Sequence, residues 1–326
     1  MIVTLTMNPA LDKTIELGAA LAHGDVQRSR GSHLQAAGKG VNVSRAIAQA
    51  GVKTLAVLPG AGTDPLLRQL ILDDVDHRSV HIDHLLRTNI TITDPDGTTT
   101  KINEQGPVLN SAVLQELVRV VVEVSRTATW LVLAGSLPPG VEPGFYAELV
   151  ATVRTALGDA APKIAVDTSE APLRALFADG VTTRPDLIKP NAEELAELTG
   201  QGTAAGFEDS PIAAATAART LVDRGVGAVL ATLGAGGAVL VTAEGAWTAS
   251  HAPIVPRSTV GAGDSALAGY LLADVAGYSP AHCLSRAVAY GSAAASLPGS
   301  AIPTPNQLAP DEVTVAELSN TPRTTS

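Results

Sequence analysis

Trp130-Leu131-Val132-Leu133-Ala134, closed by Gly135-Ser136-Leu137-Pro138-Pro139-Gly140, is the stretch on which the fold turns. An unbroken apolar run this short, ended by glycine and proline, reads as a strand buried on both faces. Working outward, residues 144–157 carry a helical pattern and 164–168 a second apolar strand. Beyond them come a short strand at 187–189 and helices at 192–199 and 211–224. Strands at 228–233 and 238–242 follow, joined through the turn 234–237. Toward the N-terminus, Leu114, Leu117, Val118, Val121 and Val124 mark one face of a helix that starts at Ser111. A strand at 54–58, a helix at 41–50 stopped by Gly51, and a strand at 2–7 complete the series. Such alternation predicts an α/β fold in three layers, with a mostly parallel central sheet covered on both sides. Ligands in these folds bind at the carboxyl ends of the strands.

Two segments break the rhythm. Residues 11–34 are polar and mixed, and 87–103 alternate around Asp94-Pro95-Asp96-Gly97, a hairpin signal separate from the main sheet. His77, His81 and His84 have a spacing that fits one helical face, yet no metal motif, and read as a solvated stretch. Residues 319–326 lack any apolar pattern and are expected to fray, and no internal repeat is visible.

Composition narrows the function classes. The chain has 326 residues, 45% of them hydrophobic but only 3% aromatic, so its core must rest on Ala, Val and Leu. A net charge of −10 argues against nucleic acid as a partner. An anionic substrate would need a local cluster of cations set against that sign. Cys283 is the only cysteine, which excludes an intrachain disulfide and a zinc site of several thiolates. Met1-Ile2-Val3-Thr4-Leu5 opens directly on a strand pattern, and no apolar run approaches a membrane span. A cytoplasmic protein without a membrane partner is the expectation.

Common nucleotide signatures are absent. His33 stands where a P-loop needs its first glycine, and Lys39 is followed by Gly40 rather than by Ser or Thr. The first strand leads into Asn8-Pro9, not a dinucleotide-binding glycine turn.

Four glycine or polar turns carry the remaining chemistry. Thr259-Val260-Gly261-Ala262-Gly263-Asp264-Ser265 precedes an alanine-rich helical run. Its amides and the helix dipole suit an anion that gains charge during reaction. Asp264 reads either as a helix cap or as a general base. Gly38-Lys39-Gly40-Val41-Asn42, with Asp12, suits a phosphate and paired hydroxyls, or is a surface turn. In Lys189-Pro190-Asn191-Ala192-Glu193-Glu194, Asn191 and Glu194 fit a hydrated Mg²⁺ beside polyphosphate, or equally a capping box. Thr232-Leu233-Gly234-Ala235-Gly236-Gly237 offers amides and a hydroxyl to a phosphate, or is a plain hairpin.

Together and in this order, the motifs resemble the ribokinase (PfkB) family of sugar kinases. The resemblance rests on Asn8-Pro9-Ala10-Leu11-Asp12, Gly38 to Val43, Gly135 to Gly140, Lys189-Pro190-Asn191 with Glu194, and Thr259 to Asp264. Thr6 to Asp12, and Thr99-Thr100-Lys101-Ile102-Asn103-Glu104 with Gly106-Pro107, are similar to its 1-phosphofructokinase and tagatose-6-phosphate kinase branch. The resemblance implies a single kinase domain over 1–310, a β-sheet lid from about 11–34 and 87–103, and a tail over 311–326. It implies a ribokinase-like fold and ATP-dependent phosphorylation of fructose 1-phosphate at the 6-hydroxyl. The alternatives are tagatose 6-phosphate or fructose 6-phosphate as acceptor, or a non-catalytic sugar-phosphate sensor.

By the same resemblance, Asp264 is the base and the amides of Gly261, Ala262 and Gly263 form the anion hole. Asp12, Gly38 and Asn42 meet the sugar hydroxyls, and Lys39, Arg87, Lys101 and Ser136 surround the phosphate the substrate already carries. Lys189, Asn191, Thr232, Gly234 and Gly237 fall to ATP, and Glu194 with Asn191 to Mg²⁺ through water. The lid implies pairing with a second copy in a homodimer.

Overall fold

The structure is a computed structural model, described here over residues 1–318. Its strands are β1 (Ile2–Thr6), β2 (Ala10–Leu17), β3 (Ser29–Ala37), β4 (Thr54–Pro59), β5 (His77–Val80), β6 (Arg87–Thr93) and β7 (Thr99–Asn103). β8 (Trp130–Ala134), β9 (Lys163–Asp167), β10 (Leu187–Ile188), β11 (Ala228–Thr232), β12 (Ala238–Thr242), β13 (Ala246–His251) and β14 (Val313–Glu317) follow. The helices are α1 (Lys39–Gln49), α2 (Pro65–Leu72), α3 (Ser111–Ser125), α4 (Phe145–Leu157) and α5 (Glu170–Ala175). After them come α6 (Ala192–Thr199), α7 (Ala204–Asp209), α8 (Pro211–Asp223), α9 (Ala262–Val275) and α10 (Pro280–Ala295).

β8 sits inside the main sheet and shows why an apolar run suits that place. Trp130, Val132 and Ala134 face a core shared with α1, α9 and α10, while Leu131 and Leu133 face the core under α2, α3, α4 and α8. With period-two side chains and both faces covered, every residue must be apolar. The ten strands run in the order β14-β13-β12-β11-β10-β9-β8-β1-β4-β5. Pairing is parallel from β5 to β11 and antiparallel from β11 to β14. From β1 the chain builds outward to β4 and β5, then crosses back to place β8 on the other side of β1. That reversal is a topological switch point, and it opens a crevice at the carboxyl ends of the neighbouring strands.

The second sheet has the order β3-β2-β6-β7 and is the expected lid. β6 and β7 form the hairpin that the turn at Asp94–Gly97 predicts. One of its faces carries Asp12, Asn89 and Lys101; the other carries Lys13, Ile15, Leu34, Ile90, Ile92 and Ile102. Gln35 of β3 anchors the lid to the main body. Its amide donates to the Ser300 carbonyl at 3.0 Å and its oxygen accepts from the Ser300 hydroxyl at 2.9 Å.

Three expectations change. The segment expected as a tail from 311 contains a strand, because β14 pairs antiparallel with β13 and closes that edge of the sheet. His77 lies in β5, parallel to β4, so the three histidines share no helical face; among the described residues no cluster of three or more His, Cys, Asp or Glu is placed to hold a metal ion. The glycine turn also enters the helix earlier than its alanine run suggests, so Asp264 stands within the first turn of α9. The expected fraying of 319–326 lies outside the described residues. Cys283 is buried on α10. No helix among the described residues is long and apolar enough to cross a membrane.

Candidate active site

α1 carries the sugar-side turn against β1. Gly38, its N-cap, has φ 120, and a Cβ there would lie 2.8 Å from Thr6 Cγ2. Gly40 is tighter still, with Thr6 Oγ1 at 2.5 Å from a built Cβ. Only glycine lets the helix approach this closely. Deeper in the helix, Ser44 shares hydrogen bonds of 2.9 Å with Thr4 of β1 and Thr54 of β4, a buried polar ladder that fixes the helix in register. The result sets Lys39 and Asn42 over the crevice.

α9 arrives from the other side. Gly261 caps it in the left-handed region at φ 77, which glycine adopts without strain. A Cβ on Gly263 would stand 3.1 Å from Lys189 Nζ, so this glycine makes room for the lysine. Ala262 donates its N–H to the Thr259 carbonyl at 3.3 Å. The amides of Gly263 and Asp264 lie in the first helical turn, where intrahelical acceptors are missing, beside the cavity. Asp264 is 7% exposed, and its Oδ2 accepts from Asn42 Nδ2 at 2.8 Å.

The centre of charge is a residue that motif reading passes over. Asp167, fully buried at the end of β9, holds Lys39 Nζ at 2.7 Å on one oxygen and Lys189 Nζ at 3.1 Å on the other. Burial alone would raise its pKa, but the two ammonium groups outweigh burial and hold it below the ordinary aspartate range. Burial opposes the charge on Lys39, yet Asp167 and Asp264 overcome it and keep the lysine protonated. Asp264 behaves oppositely. Burial and then the Asp167 charge raise its proton affinity, while Lys39, the Asn42 hydrogen bond and Lys189 pull it back. The available signal for Asp167 was a polar pair, Asp167-Thr168, after a buried apolar run at the ligand-facing end of a strand.

Lys39, Lys189, Asn191, Glu194, Thr232, Gly234, Gly237, Gly261, Ala262, Gly263 and Asp264 line one cavity of about 940 Å³. Pro253, Ile254, Pro256, Ala287, Val288 and Ala295 supply an apolar wall that the motifs did not reveal. Gly237 has φ 89, and a Cβ there would come within 2.0 Å of the Ala249 carbonyl. Asn191 and Glu194 form a complete capping box at the start of α6: Asn191 Oδ1 accepts from the Glu194 N–H, and Glu194 Oε2 accepts from the Asn191 N–H, both at 2.8 Å. That leaves Glu194 Oε1 for other work. Burial raises the Glu194 pKa, against the Asn191 hydrogen bond. One carboxylate oxygen on the wall of this cavity fits a Mg²⁺ that keeps its waters, and does not fit an all-protein cage.

The sugar-side residues lie under the lid. Asp12 accepts from Asn89 Nδ2 at 3.0 Å, and burial raises its pKa. Lys101, on β7, is exposed. Arg87 is committed to backbone: Nε and Nη2 donate to the Asn8 carbonyl at 3.2 and 3.0 Å, and Nη1 to the Glu104 carbonyl at 3.1 Å. It therefore straps β6 to the exits of β1 and β7. Ser136 accepts from Asn8 Nδ2 at 3.4 Å. Lys39, expected with these residues, is placed instead on Asp167 at the cavity wall. Asp264 is the seam between the two regions, reaching the lid side through Asn42.

A deep polyanion-sized cavity, a lid-covered polar face and one buried carboxylate between them match what phosphoryl transfer requires. The family model described as "pfkB family carbohydrate kinase" matches residues 5–307. The chain belongs to the PfkB family of carbohydrate kinases. It is a phosphotransferase with the ribokinase-like mixed α/β fold. It is 34% identical over 312 residues to a 1-phosphofructokinase of Rhodobacter capsulatus, covering 94% of each chain. The structure of phosphofructokinase-2 from Escherichia coli in complex with potassium is 28% identical, with a TM-score of 0.84 over 94% of this chain and 96% of that one. An Arabidopsis thaliana ribokinase, at 21% identity and a TM-score of 0.67 over 92% and 93% of the two chains, shares the fold.

Proposed function

We propose that this kinase transfers the γ-phosphoryl group of ATP to the 6-hydroxyl of fructose 1-phosphate, giving fructose 1,6-bisphosphate and ADP. The observation that carries the reading is the position of Asp264, buried at the seam between cavity and lid with two amides of its own helix turn beside it. The choice of sugar follows the relatives named 1-phosphofructokinase.

ATP lies in the 940 Å³ cavity, its base against the apolar wall and its phosphates toward the glycine turns. The sugar lies under the lid with its hydroxyls on Asp12 and Asn42. Its own phosphate meets Lys101 and the outer edge of Arg87. Asp264 takes the proton of the 6-hydroxyl as the new O–P bond forms and the β,γ-bridging P–O bond breaks, and the electron pair leaves on ADP. The Gly263 and Asp264 amides, Lys39 and Lys189 hold the charge that spreads over the transferring group. Glu194, with Asn191 placed by the capping box, would hold Mg²⁺ through water; the ion supplies further charge neutralisation to the polyphosphate. Lid closure excludes water, which would otherwise compete as acceptor.

The apolar outer face of the lid supports a homodimer: Leu34 is 51% and Ile102 53% exposed, on a sheet otherwise covered on its sugar face. Cytoplasmic location goes with this metabolic role. Coupled ADP-release assays on fructose 1-phosphate, fructose 6-phosphate, tagatose 6-phosphate and unphosphorylated fructose test the reading. The expected order puts fructose 1-phosphate first by kcat/KM. Turnover of fructose alone would remove the assigned cations, and no turnover of any sugar would leave a sensor.

A further inference from the structure

Asn42 stands on the first turn of α1, 5% exposed, with its backbone N–H on the Gly38 carbonyl at 2.8 Å. The Thr4–Ser44–Thr54 ladder, two residues further along, leaves the helix no freedom to slide. Its Nδ2 donates to Asp264 Oδ2 at 2.8 Å across 222 residues of chain. The same side chain's Oδ1 is buried without a protein partner. A buried amide oxygen left unpaired is costly, and it implies an acceptor waiting for a donor.

We infer that Asn42 is a positioning residue for Asp264, fixing one carboxylate oxygen with its N–H while its own oxygen accepts from a hydroxyl of the bound sugar. This rests on the reading of Asp264 as the base. The carboxylate has one oxygen held and one free, so its proton-accepting lone pairs point at a single place. Sugar binding then satisfies the last open valence of Asn42 and locks the amide plane, which holds the carboxylate plane in turn. The groups that face Asp264 are Lys39 from α1, Asp167 from the end of β9 and Lys189 after β10. Asn42 is the uncharged member of that set and the one that makes a hydrogen bond to the carboxylate.

The test measures kcat and KM against pH for wild type, Asn42→Ala and the isosteric Asn42→Asp, with ATP binding by calorimetry as the check on folding. Removing the donor takes away a hydrogen bond that favours the ionised carboxylate. The acidic limb of kcat should therefore move up by about one pH unit in Asn42→Ala. In Asn42→Asp, where two carboxylates share the site, it should move further. kcat at neutral pH should fall at least tenfold, with KM for ATP unchanged. A residue that only binds sugar would raise KM for the sugar phosphate and leave the acidic limb in place; that result overturns the inference. Where Asn42→Ala does not fold, Asn42→Asp decides alone. Wild-type turnover with an inactive Asp264→Asn and an unmoved limb overturns the role of Asn42 alone. Full turnover by Asp264→Asn overturns both readings.

Discussion

At the scale of single residues, the site is an economy of two buried aspartates with opposite tasks. Asp167 is ionised and paired; Asp264 is pushed toward its protonated form by burial and by that same charge. Catalysis by Asp264 requires the ionised form, so kcat should fall as pH drops through a pKa above the ordinary aspartate range. Asp264→Asn should bind sugar phosphate and ATP normally in calorimetry yet lose about two or more powers of ten in kcat. Undiminished turnover would remove it from the mechanism. Asp167→Asn leaves Lys39 and Lys189 facing a neutral amide, and removing one partner from a buried ion pair costs about 3 kcal/mol. Because the folded pKa of Asp167 lies below its unfolded value, that contribution is complete above the ordinary aspartate pKa. It disappears as pH falls through the depressed one. Urea titrations of wild type and Asp167→Asn should therefore converge in strong acid; a gap that persists there would place the stabilisation elsewhere.

At the scale of elements, legibility followed burial. β8 and β12 match their expected spans because both faces are covered and no other structure suits an unbroken apolar run. α6 also matches, with Asn191 and Gly200 marking its ends. The lid strands β2 and β3 were harder, since one face binds a polar ligand and the sequence there looks like loop. β13 and the edge strand β14 escaped because they lie at the margin of the sheet, alternate weakly and carry Ser, Thr and Glu. The glycine turns of the site were visible as turns; their meeting was not, since it depends on strand order. Asp167 was hidden by its neighbours, one charge after three residues, Ile164 to Val166, that read as core. For the lid as a unit, the paired bonds from Gln35 to Ser300 matter most. Gln35→Ala should loosen closure and raise KM for the sugar phosphate about threefold, as loss of a modest hydrogen bond would. It should also increase ADP formed per sugar bisphosphate made, which a two-product assay reads directly. Equal ADP and bisphosphate in the variant would mean that the latch does not govern water access.

At the scale of the whole molecule, the acidic chain sets Lys39 and Lys189 on the cavity and leaves two apolar side chains, Leu34 and Ile102, exposed on the lid's outer face. Two such faces, stacked, would bury Leu34 and Ile102 together with their neighbours. Sedimentation velocity on wild type should show a dimer at micromolar concentration, and Ile102→Lys should release monomers by placing a charge in that contact. A wild type that sediments as a monomer would refute pairing through the lid.

The hydrogen bond between Asn42 and Asp264 spans 222 positions of the chain, and the one between Gln35 and Ser300 spans 265. On a ribosome, therefore, the sugar side of the site exists long before its other half has been made. β1, β4, β8 and β9 can assemble while α9 and α10 are still unsynthesised, and the growing chain then displays a half-built crevice with Lys39 and Asp167 already paired. Competence arrives late and all at once, when the last helices dock. A message cut short before residue 264 would yield a chain that folds much of its sheet, holds the ion pair, and has no carboxylate with which to do chemistry.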